Sequence, residues 1–201
     1  MKSRMPYLGI PLPALRTLVR GATGRHPLSD FDEWCEAITL LWREARYREE
    51  RYAALAIAGD RRHRDWATQP KALSLYEELI VTGAWWDLVD DVATHRLAPM
   101  LVARRGLIGP VMRAWSRDTN LWKRRSAIIC QVTLRAAADP GLLYHCIESN
   151  LDDGSFWIRK AIGWALRERA KIAPEEVRDY VAMRGDRLSG LSQREALRRL
   201  V

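Results

Sequence analysis

The sequence predicts an all-α fold, an α-solenoid in which short helix pairs stack on one another. Two observations predict it. Apolar residues recur at steps of three and four almost throughout the 201 residues, and a degenerate internal repeat has a period of 34 to 37 residues. No segment shows the convincing period-two alternation that indicates a strand. Two helices in a period of this length are typical of HEAT-like repeats.

The predicted helices follow one another, separated by glycine, proline, asparagine or aspartate. Ser29 and Asp30 can cap a helix whose apolar side carries Phe31, Trp34, Cys35, Ile38, Leu41 and Trp42. The other helices are expected at about 11–21, 48–64, 70–82, 85–94, 107–117, 120–137, 140–150, 155–171, 174–183 and 191–200. Breaks are expected at 21–24, 69–70, 109–110, 118–120, 139–140, 152–154, 173–174 and 185–186.

The internal repeat singles out one carboxylate. Residues 121–128 match residues 155–162 with an offset of 34. In this register Asp90 stands where the other repeats carry an alanine, at Ala53, Ala127 and Ala161. A carboxylate at a small, buried position is costly unless it is hydrogen-bonded or has a function. Asp90 is therefore a candidate functional residue.

The excess of positive charge lies in the second half of the chain. The 33 Lys and Arg and 25 Asp and Glu give a net charge of +8. Residues 1–100 hold 14 basic and 14 acidic residues, whereas residues 101–201 hold 19 and 11, so that 19 − 11 = +8 falls entirely there. This asymmetry favours a polyanionic partner, nucleic acid before membrane. A solvated, arginine-rich helical surface is the alternative.

Other classes of protein are excluded by composition and motif. No apolar run approaches the roughly 20 residues that span a bilayer, and residues 1–6 lack the apolar core of a secretory signal. The three cysteines form no CxxC motif and the four histidines no HExxH, so neither zinc nor disulfides are expected. The phosphate-binding glycine motifs are absent as well. We expect a cytoplasmic protein that uses no cofactor.

Two tryptophans and two aspartates lie within one hexapeptide. On a helix Trp86 and Asp90 share a face, while Trp85 and Val89 share the adjacent one. One tryptophan can then pack in the core while the other stands beside a carboxylate. Asp87 is expected to be solvated. The alternative is that both tryptophans belong to the core and both aspartates are solvated.

Cations open two of the predicted helices. Lys123, Arg124 and Arg125 lie in the first turns of one helix, and Arg159 and Lys160 in the first turns of another. The helix dipole favours anions at this end, so cations here suggest that an outside anion such as phosphate binds them. A solvated helix face is the alternative.

A stripe of cation, aromatic and cation continues along the second of these helices. Lys160, Trp164 and Arg167 follow at i, i+4 and i+7, a pattern typical of surfaces that track a nucleic-acid backbone. Gly163, in the same helix, costs about 1 kcal/mol relative to alanine. The favoured explanation is the close approach of a neighbouring helix.

Seven segments, in order, carry a family resemblance. They begin with Tyr7-Leu8-Gly9-Ile10 and include Trp85-Trp86-Asp87-x-Val89-Asp90; in full they are 7–16, 41–55, 78–82, 85–90, 120–128, 158–168 and 191–197. With these segments the chain resembles the AlkD-like (AlkC/AlkD) family of bacterial alkylpurine DNA glycosylases, which are built from HEAT-like repeats. The resemblance covers nearly the whole chain.

The resemblance implies a single HEAT-like domain over residues 1–201 with a concave, basic groove that binds double-stranded DNA. The implied reaction is hydrolysis of the N-glycosidic bond of cationic alkylated purines, such as 3-methyladenine and 7-methylguanine. It would pass through an oxocarbenium-like transition state, without metal or nucleotide and without base flipping. A bacterial, nucleoid-associated monomer is expected.

The resemblance also implies roles for individual residues. Asp90 would be the catalytic carboxylate, Trp86 and Trp164 would contact the deoxyribose of the lesion, and Arg125 would bind the DNA backbone beside it. These four are expected to converge on one groove. The remaining cations expected to bind DNA are Lys123, Arg124, Arg159, Lys160 and Arg167.

One feature departs from the family pattern. Family members carry a further helical segment before the Tyr-Leu-Gly motif, whereas six residues precede Tyr7 here, so that segment is expected to be short or absent. A catalytically inactive or scaffold module that binds DNA or a protein is the alternative function. The presence of Asp90 favours the enzyme. A carboxylate in an electropositive groove repels phosphate, so a module that only binds DNA has no need of one.

Overall fold

The computed structural model describes residues 5–200, and every regular element in that range is a helix. The predicted all-α class is thereby confirmed. The described residues divide into two compact units, of which the first ends at Val92 and the second begins at Ala93. The extent of a single functional domain over 1–201 stays a prediction.

Between residues 5 and 92, the first unit contains six α-helices. They are α1 (Leu12–Arg25), α2 (Phe31–Arg43), α3 (Arg48–Ala58), α4 (Arg64–Ala67), α5 (Ala72–Gly83) and α6 (Trp86–Val92), with a 3₁₀ turn at Arg61–His63. Helix α3 packs on α1, α2 and α6, and α5 packs on α2 and α6. This packing places the first turn of α3 beside the first turn of α6.

Helix α2 forms as its sequence predicts. The Asp30 side chain accepts a hydrogen bond from the Glu33 backbone N–H and so caps the helix. Its apolar stripe is buried at Phe31, Trp34, Ile38 and Trp42. The steps of three and four between these residues keep them on one side of the helix, which faces the core of the first unit.

The second unit continues directly from α6. A π-helical turn (Ala93–Leu97) leads into α7 (Ala98–Ala103), α8 (Arg105–Trp115), α9 (Leu121–Ile129), α10 (Pro140–Glu148), α11 (Phe156–Ala170), α12 (Pro174–Arg184) and α13 (Gly190–Leu197). Short 3₁₀ turns lie at Arg135–Ala137 and Gly185–Arg187. Helix α11 packs between α9 and α13, and α10 packs on α8 and α9. Successive helix pairs therefore stack within this unit.

The helix caps of the second unit repeat. The side chains of Asn120, Ser155 and Ser189 accept hydrogen bonds from the first backbone N–H groups of α9, α11 and α13. The offsets are 155 − 120 = 35 and 189 − 155 = 34 residues. The period predicted from the sequence is confirmed, but α9 and α11 are related by 35 residues at their caps rather than by 34.

Several predicted boundaries were wrong. Helix α1 runs through the break expected at 21–24, and α8, with Pro110 inside it, runs through the break expected at 109–110. The helix expected at 120–137 ends at Ile129, and turn residues separate it from the 3₁₀ segment in which Arg135 adopts a positive φ of 51°. Helix α7 was not predicted; Pro99 in its first turn supports a helix start there. The helix expected at 48–64 ends at Ala58, before Gly59.

Candidate functional site

Helix α6 carries Trp86 and Asp90 one turn apart. Trp86 is the first residue of the helix and is 36% exposed, whereas Asp90 is partly buried. Leu88, Val89 and Val92 are buried, so they form the core-facing side of the helix. Trp86 reaches the surface. The alternative in which both tryptophans belong to the core is therefore wrong.

The repeat alignment that placed Asp90 at the position of buried alanines is confirmed only in part. Ala127 and Ala161 are buried at 1% and 0% exposure. Asp90 and Ala53 are both only partly buried. A partly buried carboxylate retains contact with solvent, so it avoids most of the penalty for burying a charge.

Asp87 was expected to be solvated, and this was wrong. Its side chain is 12% exposed and pairs with the buried guanidinium of Arg48. The Tyr52 hydroxyl donates to Asp87 Oδ2 at 2.5 Å, and the Leu88 backbone N–H donates to Asp87 Oδ1 at 3.0 Å. The reason is tertiary: α3 presents Arg48 and Tyr52, four residues apart, to the first turn of α6. These bonds fix the start of the helix that carries Asp90.

The first turn of α3 also holds the N-terminal segment. The buried Glu49 carboxylate accepts hydrogen bonds from the backbone N–H groups of Leu8 (3.0 Å), Gly9 (2.9 Å) and Ile10 (3.3 Å). Burial alone would raise the pKa of Glu49, but these bonds to the charged form hold it below its ordinary value. Gly9 has a φ of 79°, which favours glycine at the centre of this turn.

The cations at the starts of α9 and α11 have carboxylate or carbonyl partners within the second unit. Lys123 Nζ lies 2.6 Å from Asp118 Oδ2, and Arg124 Nη2 lies 2.8 Å from Asp153 Oδ2. Arg159 Nε donates to the Asp153 carbonyl oxygen at 3.0 Å. The helix-dipole argument expected an outside anion here. Asp118 and Asp153, each just before a helix, supply negative charge from the chain itself.

Arg125 lies deeper than its neighbours. It is 5% exposed, and its Nη1 donates to the Trp157 carbonyl oxygen at 2.6 Å. The guanidinium carbon also lies 5.9 Å from the centroid of the Trp157 ring, within cation–π range. Arg125 thus helps to join α9 to α11. Its role as a DNA ligand stays a prediction.

The stripe on α11 converges on one carboxylate of α13. Lys160 Nζ lies 2.8 Å from Glu195 Oε1, and Arg167 pairs with Glu195 Oε2, while Trp164 between them is partly buried. The hydrogen bond from Lys160, together with the charge of Arg167, holds the pKa of Glu195 below its ordinary value.

Gly163 explains how α13 comes so close. A Cβ atom at this position would lie 2.5 Å from Glu195 Cβ and 3.1 Å from the Ser192 carbonyl oxygen. The prediction that Gly163 permits a close helix approach is confirmed.

Comparison with known proteins assigns the family. The sequence model of the family described as "DNA alkylation repair enzyme" matches residues 1–200. The chain belongs to the DNA alkylation repair family. The family resemblance inferred from the sequence is confirmed, and with it an enzyme family whose substrate is DNA.

Two solved structures resemble this DNA alkylation repair protein. A predicted DNA alkylation repair enzyme from Enterococcus faecalis is 25% identical with a TM-score of 0.86; the match covers 98% of this chain and 89% of that one. AlkD2 from Streptococcus mutans is 15% identical with a TM-score of 0.70; the match covers 96% of this chain and 91% of that one, which shows a shared fold. No curated protein sequence matched. None of the helices within residues 5–200 is long and apolar enough to span a bilayer.

Sequence reasoning missed the residues that hold the candidate site residues in place. In the sequence, Asp87 and Glu49 were noted only as members of segments that carry the family resemblance. Glu195 was noted only as part of the last of these segments, residues 191–197. A signal existed for Asp87, since an acidic residue in the first turn of a helix is favoured by the dipole and by capping. Its partner Arg48 is 39 residues away and could not be inferred from local spacing.

Proposed function

We propose that this DNA alkylation repair protein is a monofunctional glycosylase. It hydrolyses the N-glycosidic bond of cationic alkylated purines, such as 3-methyladenine and 7-methylguanine, in double-stranded DNA. The observation that carries the proposal is the pair on α6: an exposed indole and a partly buried carboxylate share one helix face. The first turn of that helix is fixed by the buried Arg48–Asp87 ion pair.

The chemistry of the lesion suits such a pair. Alkylation at a ring nitrogen gives the purine a positive charge, so the base leaves readily. The C1′–N bond breaks, its electron pair neutralises the base, and the deoxyribose acquires oxocarbenium character. The Asp90 carboxylate stabilises this cation and orients the attacking water, which adds to C1′ and loses a proton. The Trp86 ring adds cation–π attraction.

The second unit supplies the proposed contacts to the rest of the duplex. Trp164 contacts the deoxyribose, and Arg125 the backbone beside the lesion. The five further cations bind phosphates; they are Lys123, Arg124, Arg159, Lys160 and Arg167. The concentration of the net charge of +8 in residues 101–201 supports this assignment. That the base stays within the duplex rests on the family resemblance alone.

The test is release of 7-methylguanine from a methylated duplex. Wild-type protein should release the base, and Asp90→Asn should slow release by about 100-fold or more while duplex binding and the helical circular dichroism spectrum stay nearly unchanged. Asp91→Asn is the matched control, because it removes one carboxylate from the same turn of the same helix and should retain release.

Two results would count against the proposal. Undiminished release by Asp90→Asn would remove Asp90 from catalysis. Duplex binding by a wild-type protein that releases no base would favour the alternative, a catalytically inactive helical-repeat module.

A further inference from the structure

We propose that Glu195 is a built-in counter-anion that fills a phosphodiester site formed by Lys160 and Arg167. The proposal rests on the proposed function, since it assumes that these two cations bind the DNA backbone. In the free protein the carboxylate occupies the place of the phosphate. DNA must displace Glu195, and the carboxylate thereby limits duplex affinity.

The geometry of the three side chains is that of a two-cation clamp. Lys160 and Arg167 are seven residues apart on one face of α11, and each contacts a different oxygen of the same carboxylate. The side chains of Lys160, Arg167 and Glu195 are 38%, 20% and 16% exposed, so solvent reaches the clamp. A phosphodiester likewise carries one negative charge and two free oxygens, so the same donors suit it.

Helix α13 holds the carboxylate in place. The Ser192 hydroxyl donates to the Arg159 carbonyl oxygen at 2.8 Å, and the lack of a side chain at Gly163 lets the Glu195 Cβ rest on α11. The Glu195 backbone is therefore positioned by contacts that do not depend on its charge. Only the outer atoms of its side chain need to rotate to release the clamp.

The charges of the three side chains predict whether removing the Glu195 carboxylate strengthens or weakens DNA binding. Lys160, Arg167 and Glu195 together carry a net charge of +1, and a neutral side chain at 195 would leave +2 facing the DNA. Glu168 lies 4.0 Å from Arg167 but also pairs with Lys171, so it does not replace Glu195. Removing the Glu195 charge should therefore strengthen DNA binding, whereas loss of a merely structural ion pair would leave it unchanged or weaken it.

The experiment measures binding of an undamaged duplex by fluorescence anisotropy over a series of salt concentrations. Glu195→Gln should bind about five- to tenfold more tightly at 0.1 M salt, and the log–log salt slope should steepen by about one. Glu148→Gln is the matched control. It removes one carboxylate from a comparable ion pair, with Arg184 in the same unit, and should not change affinity.

A second variant identifies the cations responsible. Adding Lys160→Gln to Glu195→Gln should cancel most of the gain. Unchanged or weaker binding by Glu195→Gln would overturn the proposal, as would an equal gain in Glu148→Gln, which would indicate a simple effect of net charge. Base release is measured separately, so a failure of the glycosylase proposal leaves this binding result independently readable.

Discussion

Replacing Gly163 with alanine probes the contact that brings α13 onto α11. The added Cβ would lie 2.5 Å from Glu195 Cβ and 3.2 Å from Ser192 Cα. Non-bonded carbon atoms prefer about 3.5–4.0 Å, so α13 must move by about 1 Å. Forcing an extra carbon into a packed contact costs about 1–3 kcal/mol. The better helix propensity of alanine returns about 1 kcal/mol. The net expectation is a loss of about 0–2 kcal/mol.

Gly21→Ala is the matched control, because Gly21 also lies inside an α-helix. A Cβ at this position meets only the guanidinium of the exposed Arg25, at 3.6 Å. This variant should gain about 0.5–1 kcal/mol. The two variants should therefore differ by about 0.5–3 kcal/mol in the free energy of unfolding, measured by urea denaturation and circular dichroism. Equal stability of the two variants would refute the close-approach explanation of Gly163.

Two further predictions concern the first turn of α3. Asp87→Asn leaves the Arg48 guanidinium buried without its anion and should cost about 3–5 kcal/mol in urea unfolding, whereas Tyr52→Phe, which removes one hydrogen bond to the same carboxylate, should cost about 1–3 kcal/mol. A loss no larger than that of Tyr52→Phe would show that the ion pair contributes little. The pKa of Glu49 in the folded protein lies below its ordinary value of 4.5, so its stabilisation is present above that value and is lost as the pH falls through the folded pKa. Unfolding free energy should therefore fall more steeply below about pH 4.5 in wild type than in Glu49→Gln, and identical pH profiles would contradict this.

Local periodicity was sufficient to predict much of the helical framework. Four of the six residues predicted on the apolar side of α2 are buried, whereas Cys35 and Leu41 are only partly buried. The shared face of Trp86 and Asp90 follows from their spacing of four. Gly163 could be interpreted because a glycine inside an otherwise strong helix has a cost that needs a compensating contact. Each of these inferences starts from the spacing or the helix propensity of residues within one helix, which can be read from the local sequence.

The partners of the charged residues could not be predicted in the same way. Asp87 pairs with Arg48 across 39 residues, and Lys160 with Glu195 across 35. Pairing of this kind depends on which helices pack together, and helical periodicity reports only which side of a helix is buried. The helix-dipole argument recognised the unusual cations of α9 and α11 but could not show that Asp118 and Asp153 already neutralise part of their charge.

The most direct test of the central claim is the single-turnover rate of 7-methylguanine release by Asp90→Asn beside wild type, with duplex affinity measured on the same preparations. Loss of the charge that stabilises the oxocarbenium ion should slow release by about 100-fold or more while leaving the dissociation constant nearly unchanged. An Asp90→Asn variant that binds the duplex normally and releases the base at the wild-type rate would contradict the account.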